Sequence, residues 1–179
     1  MGEERDIEEA DMTITIRAER AGDEDVIHDL TQAAFAPMSY SSGTEAAIIR
    51  ALRARGDLTL SLVAEDNHEI IGHVAFSPVT IDGHYDDWFG LGPISVRADR
   101  QKQGIGHALI REGIHKLKAL GAKGCALVGD QAVYQGVGFV SDGRLTHEGV
   151  PDIYVQHLTL SGHAPHGVLT FSPAFAVKQ

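Results

Sequence analysis

Between Trp88 and Leu120 the chain passes from a strand pattern, through a glycine loop, into its strongest helix pattern. Val96-Arg-Ala-Asp-Arg-Gln101-Lys-Gln-Gly104-Ile-Gly106 is the loop. Leu109, Ile110, Ile114, Leu117 and Leu120 then share one face of a helix over 106–120, and Gly121 stops it. A strand, a loop and an amphipathic helix in that order fit an α/β architecture, with the helix's apolar face laid on a sheet. The loop also has a chemical consequence. Amides at a helix start lack partners within the helix, and the dipole adds to their attraction for an anion. Gly104 and Gly106 carry no Cβ, so a phosphate oxygen can approach the main chain. Seven of the 15 Lys and Arg residues lie between Arg97 and Lys123, against only Asp99 and Glu112. The expectation is a phosphate or pyrophosphate site, the alternative being a structural turn beside a solvated basic face. The Walker pattern is absent, because no Gly-Lys-Ser/Thr follows, and Leu109 stands where the dinucleotide fingerprint needs its third glycine.

The other elements fill in an α/β order. Residues 12–18 alternate Ile14 and Ile16 with threonines, a short strand. Acids at 23–25 open a helix whose stripe is Val26, Ile27, Leu30, Ala33 and Ala34. Thr44 is placed to cap a second helix with Ile48, Ile49 and Leu52 on one face and Gly56 at its end. Residues 58–65 and 69–81 read as strands about a turn at Asp66-Asn67, and 88–96 as a strand interrupted at Gly90, Gly92 and Pro93. After the long helix come a strand over 124–129, a brief helix over 132–136, and strands at 139–140 and 153–160. The tail over 161–179 holds one more candidate strand at Val168–Phe171. The predicted order is β-α-α-β-β-β-α-β-α-β-β, a mixed sheet in one domain over 12–179.

Composition narrows the function classes. The formal net charge of −10 is mostly N-terminal: residues 1–25 hold ten acids and three bases. Residues 1–11 are therefore read as an acidic, solvated extension. Outside 97–123 there are eight bases against 23 acids, which argues against a nucleic-acid surface. No apolar run approaches the ~20 residues of a membrane span. The polar N-terminus does not resemble a secretory or transit peptide, so the expectation is a cytoplasmic protein with no membrane partner. The single cysteine, Cys125, rules out an internal disulfide and a cysteine-based zinc site. It lies in an apolar strand and reads as an inert core residue. His163 and His166 lack a third ligand, and no metal is expected.

Gln101-x-x-Gly104-x-Gly106 resembles the Arg/Gln-x-x-Gly-x-Gly/Ala motif of the GNAT superfamily of acetyltransferases, and the element order over 12–160 resembles its fold. Three further stretches are similar to the YhbS-like predicted acetyltransferases within it. They are Leu58–Ala64 with Gly72–Pro78, then Gly90–Val96, then Gly129–Phe139; Pro173-Ala-Phe175 resembles that subgroup's ending. The resemblance implies an α+β fold: a mixed, mainly antiparallel sheet of six to seven strands flanked by about four helices. It implies acetyl-CoA as co-substrate, its pyrophosphate on the amides of Gln101, Lys102, Gln103, Gly104, Ile105 and Gly106. Ile94 and Val96 would pair with the pantetheine arm as an added strand does, where strands splay at Gly92-Pro93.

The implied activity is N-acetylation of a primary amine, on a small molecule or a protein, by direct attack. Tyr134 stands where the family often has the acid that protonates the leaving thiolate; the alternative is a tyrosine packed on the core. Glu45, His73, His84, Asp86 and Asp87 are candidates for the general base by location, and none is singled out. One departure is Gly136-Val137, where the subgroup usually has Arg-Phe. It supports a second reading, a non-catalytic acyl-CoA-binding or sensor module on the same fold. The acceptor is not legible, because acceptor loops, here around 35–45 and 82–90, vary freely on a common fold. A homodimer through an exposed edge or the tail is left open.

Overall fold

A computed structural model describes residues 13–178. The acidic extension over 1–11 lies outside the described residues. Strands β1 (Ile14–Ala18), β2 (Leu60–Asp66), β3 (Glu69–Pro78), β4 (Thr80–Ile81) and β5 (Trp88–Val96) precede the long helix. Strands β6 (Gly124–Val128), β7 (Leu145–Thr146), β8 (Val155–Thr159) and β9 (Gly167–Thr170) follow it. The helices are α1 (Glu24–Phe35), α2 (Glu45–Arg55), α3 (Ile105–Ala119) and α4 (Gln131–Tyr134). Six strands form the main sheet in the order β1-β2-β3-β5-β6-β8, and β4-β9-β7 form a second, small sheet. All neighbours in the main sheet are antiparallel except β5 and β6. A parallel pair needs a crossover, and α3 supplies it.

The α3 face of the sheet holds the largest core, with Leu62, Ile71, Val74 and Phe76 against Ile105, Leu109, Ile110 and Leu117. The fit is closest at Gly113, where a Cβ would stand 2.2 Å from Phe76 Cε2. Helices α1 and α2 cover the opposite face, with Ile27 and Ile49 on Val63, and Ile48 and Leu52 on Ala75.

Most expected elements are present, with instructive differences. The β2–β3 turn is centred on Asn67-His68, both at positive φ (50° and 67°), as a tight hairpin turn demands. The strand expected over 69–81 is divided: β3 ends at Pro78, and β4 leaves the main sheet to pair with β9. The candidate strand in the tail is β9 itself, joined to both β4 and β7. Thr44 stands at the start of α2 but its side chain makes no capping bond. Gly56 ends α2 in the left-handed region, at φ 78°. Phe139-Val140 form a single bridge to His157 instead of a strand. Residues Asp152–Tyr154 make one 3-10 turn before β8 begins. The tail is held within the chain: Ser172 Oγ donates to Asp57 Oδ2 at 2.7 Å, and Ala174 packs in the α2 cluster.

Candidate functional site

The parallel pairing of β5 with β6 is short. Only Trp88, Phe89 and Gly90 are paired, to Gly124, Cys125 and Ala126. Beyond Gly90 the two strands part. On its other side β5 continues along β3, with Val74 opposite Ile94 and Phe76 opposite Leu91. One residue of β3, Ala75, thus stands opposite two of β5, a bulge formed at Gly92-Pro93, with Gly92 at φ 132°. The interruption foreseen in the sequence is therefore present as a bulge beside an open strand edge. The Arg97 amide bonds Ile71 O at 2.8 Å. Antiparallel ladders alternate, so Ile94 and Val96 turn their main-chain groups away from β3, toward the gap.

The glycine loop closes one end of that gap. Ala108 is paired within the helix to Gly104 O at 3.0 Å; the amides of Ile105, Gly106 and His107 precede it at the helix start. Lys102 (φ 62°) and Gly104 (φ 84°) are both left-handed, a backbone form that turns successive amides inward. A Cβ on Gly104 would meet nothing within 4 Å, so the loop surface there is open. A Cβ on Gly106 would face Val96 Cγ2 at 3.8 Å and Ile94 Cδ1 at 4.0 Å. The structure thus brings Ile94, Val96 and Gly106 together.

The remaining loop residues divide by role. Gln101 Nε2 donates to Val96 O at 3.1 Å and braces the loop against the end of β5. Gln103 Oε1 accepts from Arg100 Nε at 3.1 Å, and Arg100 is anchored to Asp66 at 2.8 Å. Ile105 is buried and fixes the helix start to the core. Four of the seven bases have acidic partners: Arg97 with Asp99, Arg100 with Asp66, Lys116 with Glu112 and Lys123 with Asp86. Among the described residues, Lys102, Arg111 and Lys118 are exposed without an ion pair. The free positive charge near the loop is smaller than the sequence count suggests.

Tyr134 is on α4, beside the start of α3. Asp130 begins this short helix by accepting from the Ala132 amide at 2.9 Å. Gly129 makes room for the ring, since a Cβ there would stand 2.7 Å from Tyr134 Cε2. Phe139 meets the ring edge-on at 6.1 Å. Burial, with a smaller contribution from Tyr40, pushes the phenol up to about 12. Tyr134 is thus packed against Phe139 and Gly129 with its phenol held protonated by burial. Sequence reasoning missed Gly129, Asp130 and Tyr40, whose relation to Tyr134 appears only once the chain is folded.

The candidate bases do not form one group. His73 is not in a cleft at all: it is fully buried, with Nε2 2.8 Å from Ser61 Oγ. Burial first, and Arg53 second, lower it to about 3, so its imidazole stays neutral. Glu45 is bound to Ser41 and Ser42 in the loop before α2. His84, Asp86 and Asp87 precede β5, at the opposite end of that strand from the glycine loop. Asp86 is paired to Lys123 at 2.7 Å. Cys125 is buried in β6, where desolvation pushes the thiol up. His163 and His166 are exposed, and the described residues contain no group of three or more His, Cys, Asp or Glu suited to a metal. No helix among the described residues is long and apolar enough to cross a membrane.

Known proteins share this fold. Residues 57–141 match the acetyltransferase (GNAT) domain family. An acetyltransferase of the GNAT family from Brucella melitensis, solved in complex with acetyl-CoA, is 44% identical. The similarity covers 90% of this chain and 97% of that one, with a TM-score of 0.82. The YhbS N-acetyltransferase of Escherichia coli, solved in complex with CoA, superposes with a TM-score of 0.80 at 28% identity, over 92% of this chain and 93% of that one. In direct sequence alignment YhbS of E. coli K12 is 39% identical over 102 residues, 56% of this chain. That alignment spans 61% of the relative's length, short of two-thirds. With a solved relative matched over nearly its whole length at this identity, the chain belongs to the GNAT family of acetyltransferases.

Proposed function

We propose that this protein transfers the acetyl group of acetyl-CoA to a primary amine by direct attack, and that Tyr134 is the acid. The observation that carries the reading is the length of β5 beyond Gly90 that β6 leaves unpaired, lying beside an open glycine loop. The residues present fit the co-substrate. Gly104 leaves the loop surface free for a pyrophosphate, and the amides of Gln101, Lys102, Gln103, Gly104, Ile105 and Gly106 would hold it. Ile94 and Val96 offer main-chain groups to an extended arm, as a sheet edge does to an added strand. Bound acetyl-CoA supplies a thioester whose carbonyl carbon is open to attack by an amine. The relatives from B. melitensis and E. coli, solved with acetyl-CoA and with CoA, support the choice of ligand.

The chain's own part is to orient and to hold a proton. Tyr134 Oη keeps its proton throughout the neutral range, because burial disfavours the phenolate. A group that stays protonated can donate to sulfur as negative charge develops there. Cys125 is buried in the core, which suits direct attack and not an acyl-cysteine route. Tyr40, in the 35–45 loop, lies close enough to raise Tyr134 further, which supports that loop as one wall of the acceptor side. The fold without turnover would be an acyl-CoA-binding module.

Incubating the protein with acetyl-CoA and a panel of small and peptidyl primary amines, with thiol release as readout, separates the two. Amine-dependent thiol release that falls sharply in Tyr134→Phe supports the enzyme. Tight acetyl-CoA binding with no release for any amine supports the binding module.

A further inference from the structure

One side-chain contact ties the first turn of α3 to α4, and its acceptor is main chain. His107 Nε2 lies 2.8 Å from the carbonyl oxygen of Val133. A carbonyl can only accept, so Nε2 carries the proton and donates. That carbonyl belongs to the peptide bond joining Val133 to Tyr134. His107 directly follows Gly106, within the helix start that faces the gap. The imidazole also lies over Gly136, where a Cβ would be 3.6 Å from His107 Cε1. Gly136, the first of the two residues that depart from the subgroup's pattern, is thus where the ring lies.

Helix α4 needs such a brace. It has four residues, and the 3-10 turn Gln135–Val137 that follows contains Gly136 and ends at Gly138. So short a helix is not stable by itself, and glycine weakens it further. Asp130 caps its start. Among the described residues, His107 makes the only side-chain hydrogen bond from α3 to it.

We infer that His107 is a positioning residue: by donating to the Val133 carbonyl it locks α4 to the glycine-loop helix and so fixes Tyr134, which α4 carries. The inference rests on the proposed role of Tyr134 as acid. His107 itself acts through the backbone and need not touch a reacting atom. It makes the turn that would hold the pyrophosphate and the helix that carries the acid one mechanical unit.

The test joins a ligand-free signal to a kinetic one. In protein labelled with 13C at tyrosine Cζ, with the Tyr134 signal assigned by its absence in Tyr134→Phe, the phenol is titrated by NMR. Burial holds the wild-type phenol well above its ordinary value, so Tyr134 stays mostly protonated at pH 10.5. In His107→Ala the loosened ring shifts toward the ordinary tyrosine value near 10 and is mostly ionised at that pH. His107→Gln, which places an N–H where Nε2 was, restores the wild-type titration. In acetyl transfer, His107→Ala lowers kcat about tenfold while the acetyl-CoA Kd stays within twofold, and it causes no further loss in a Tyr134→Phe background. An unchanged Tyr134 titration in folded His107→Ala overturns the inference, and so does an equal kcat loss with Phe at 134. Should His107→Ala not fold, His107→Gln against His107→Glu makes the same comparison, since glutamate suits a helix N-terminus and lacks the donor. Should no amine be acetylated, the proposed activity fails, yet the titration still decides whether His107 holds Tyr134.

Discussion

Replacing Tyr134 with Phe removes one oxygen and keeps the ring. The edge-on contact with Phe139 and the fit against Gly129 both persist. Nothing among the described residues hydrogen-bonds the Tyr134 hydroxyl, so folding loses no bond. Thermal stability is expected to stay within about 2 °C. Catalysis has no such tolerance if the hydroxyl donates to the departing sulfur. Loss of one positioned acid costs about 10²-fold in rate, which is about 2.7 kcal/mol. The lower end of the usual range is the right expectation here. A phenol that burial holds well above its ordinary range gives up its proton reluctantly, so its gain as an acid is modest. The same shift predicts that ionisation of Tyr134 causes no alkaline fall in kcat below about pH 10, because the proton is lost only toward 12. The assay is steady-state thiol release with a responsive amine, with the acetyl-CoA Kd measured by calorimetry. A Phe variant within threefold of wild type would refute the acid assignment. So would an alkaline limb near pH 9 that disappears in the variant.

Three other perturbations test the rest of the account. Gly104→Val puts a branched side chain at φ 84° and into the open loop surface; acetyl-CoA affinity by calorimetry should fall at least tenfold, with the fold retained in circular dichroism. Gly113→Ala forces a Cβ to within 2.2 Å of the Phe76 ring, and urea unfolding should show a loss of about 1–3 kcal/mol. His73 sits at about 3 in the fold and near 6.5 when unfolded, so the unfolded state binds the extra proton between those values and stability falls as the pH falls. Wild-type unfolding free energy should drop by about 2 kcal/mol from pH 7 to pH 5 on this account, and His73→Gln should flatten that slope.

What the sequence disclosed and what it withheld follow from how each feature is encoded. Helix α3 and the loop before it were legible because periodicity and glycine position are local signals. The bulge in β5 was legible for the same reason, through Gly92 and Pro93. The division of 69–81 was not, because Val79 looks like any strand residue and the break depends on β9, nearly ninety residues further on. The basic stretch misled through its count: Arg100 is bound to Asp66 and Lys123 to Asp86, partners distant in sequence. His73 looked like a titrating candidate because its neighbours on the chain are unremarkable; burial between β2 and β5 removes it from that role. His107 gave no signal at all, since its partner is a backbone carbonyl and carbonyls carry no sequence identity.

The most direct measurement is thermal unfolding of the full chain with acetyl-CoA, free CoA and ATP in parallel. A ligand present at ~100 times its Kd adds about 2.7 kcal/mol of stability. Tm should rise clearly with acetyl-CoA and with CoA, and not with ATP. No rise with either CoA species would contradict the assignment of the glycine loop and the open β5 edge as the acetyl-CoA site.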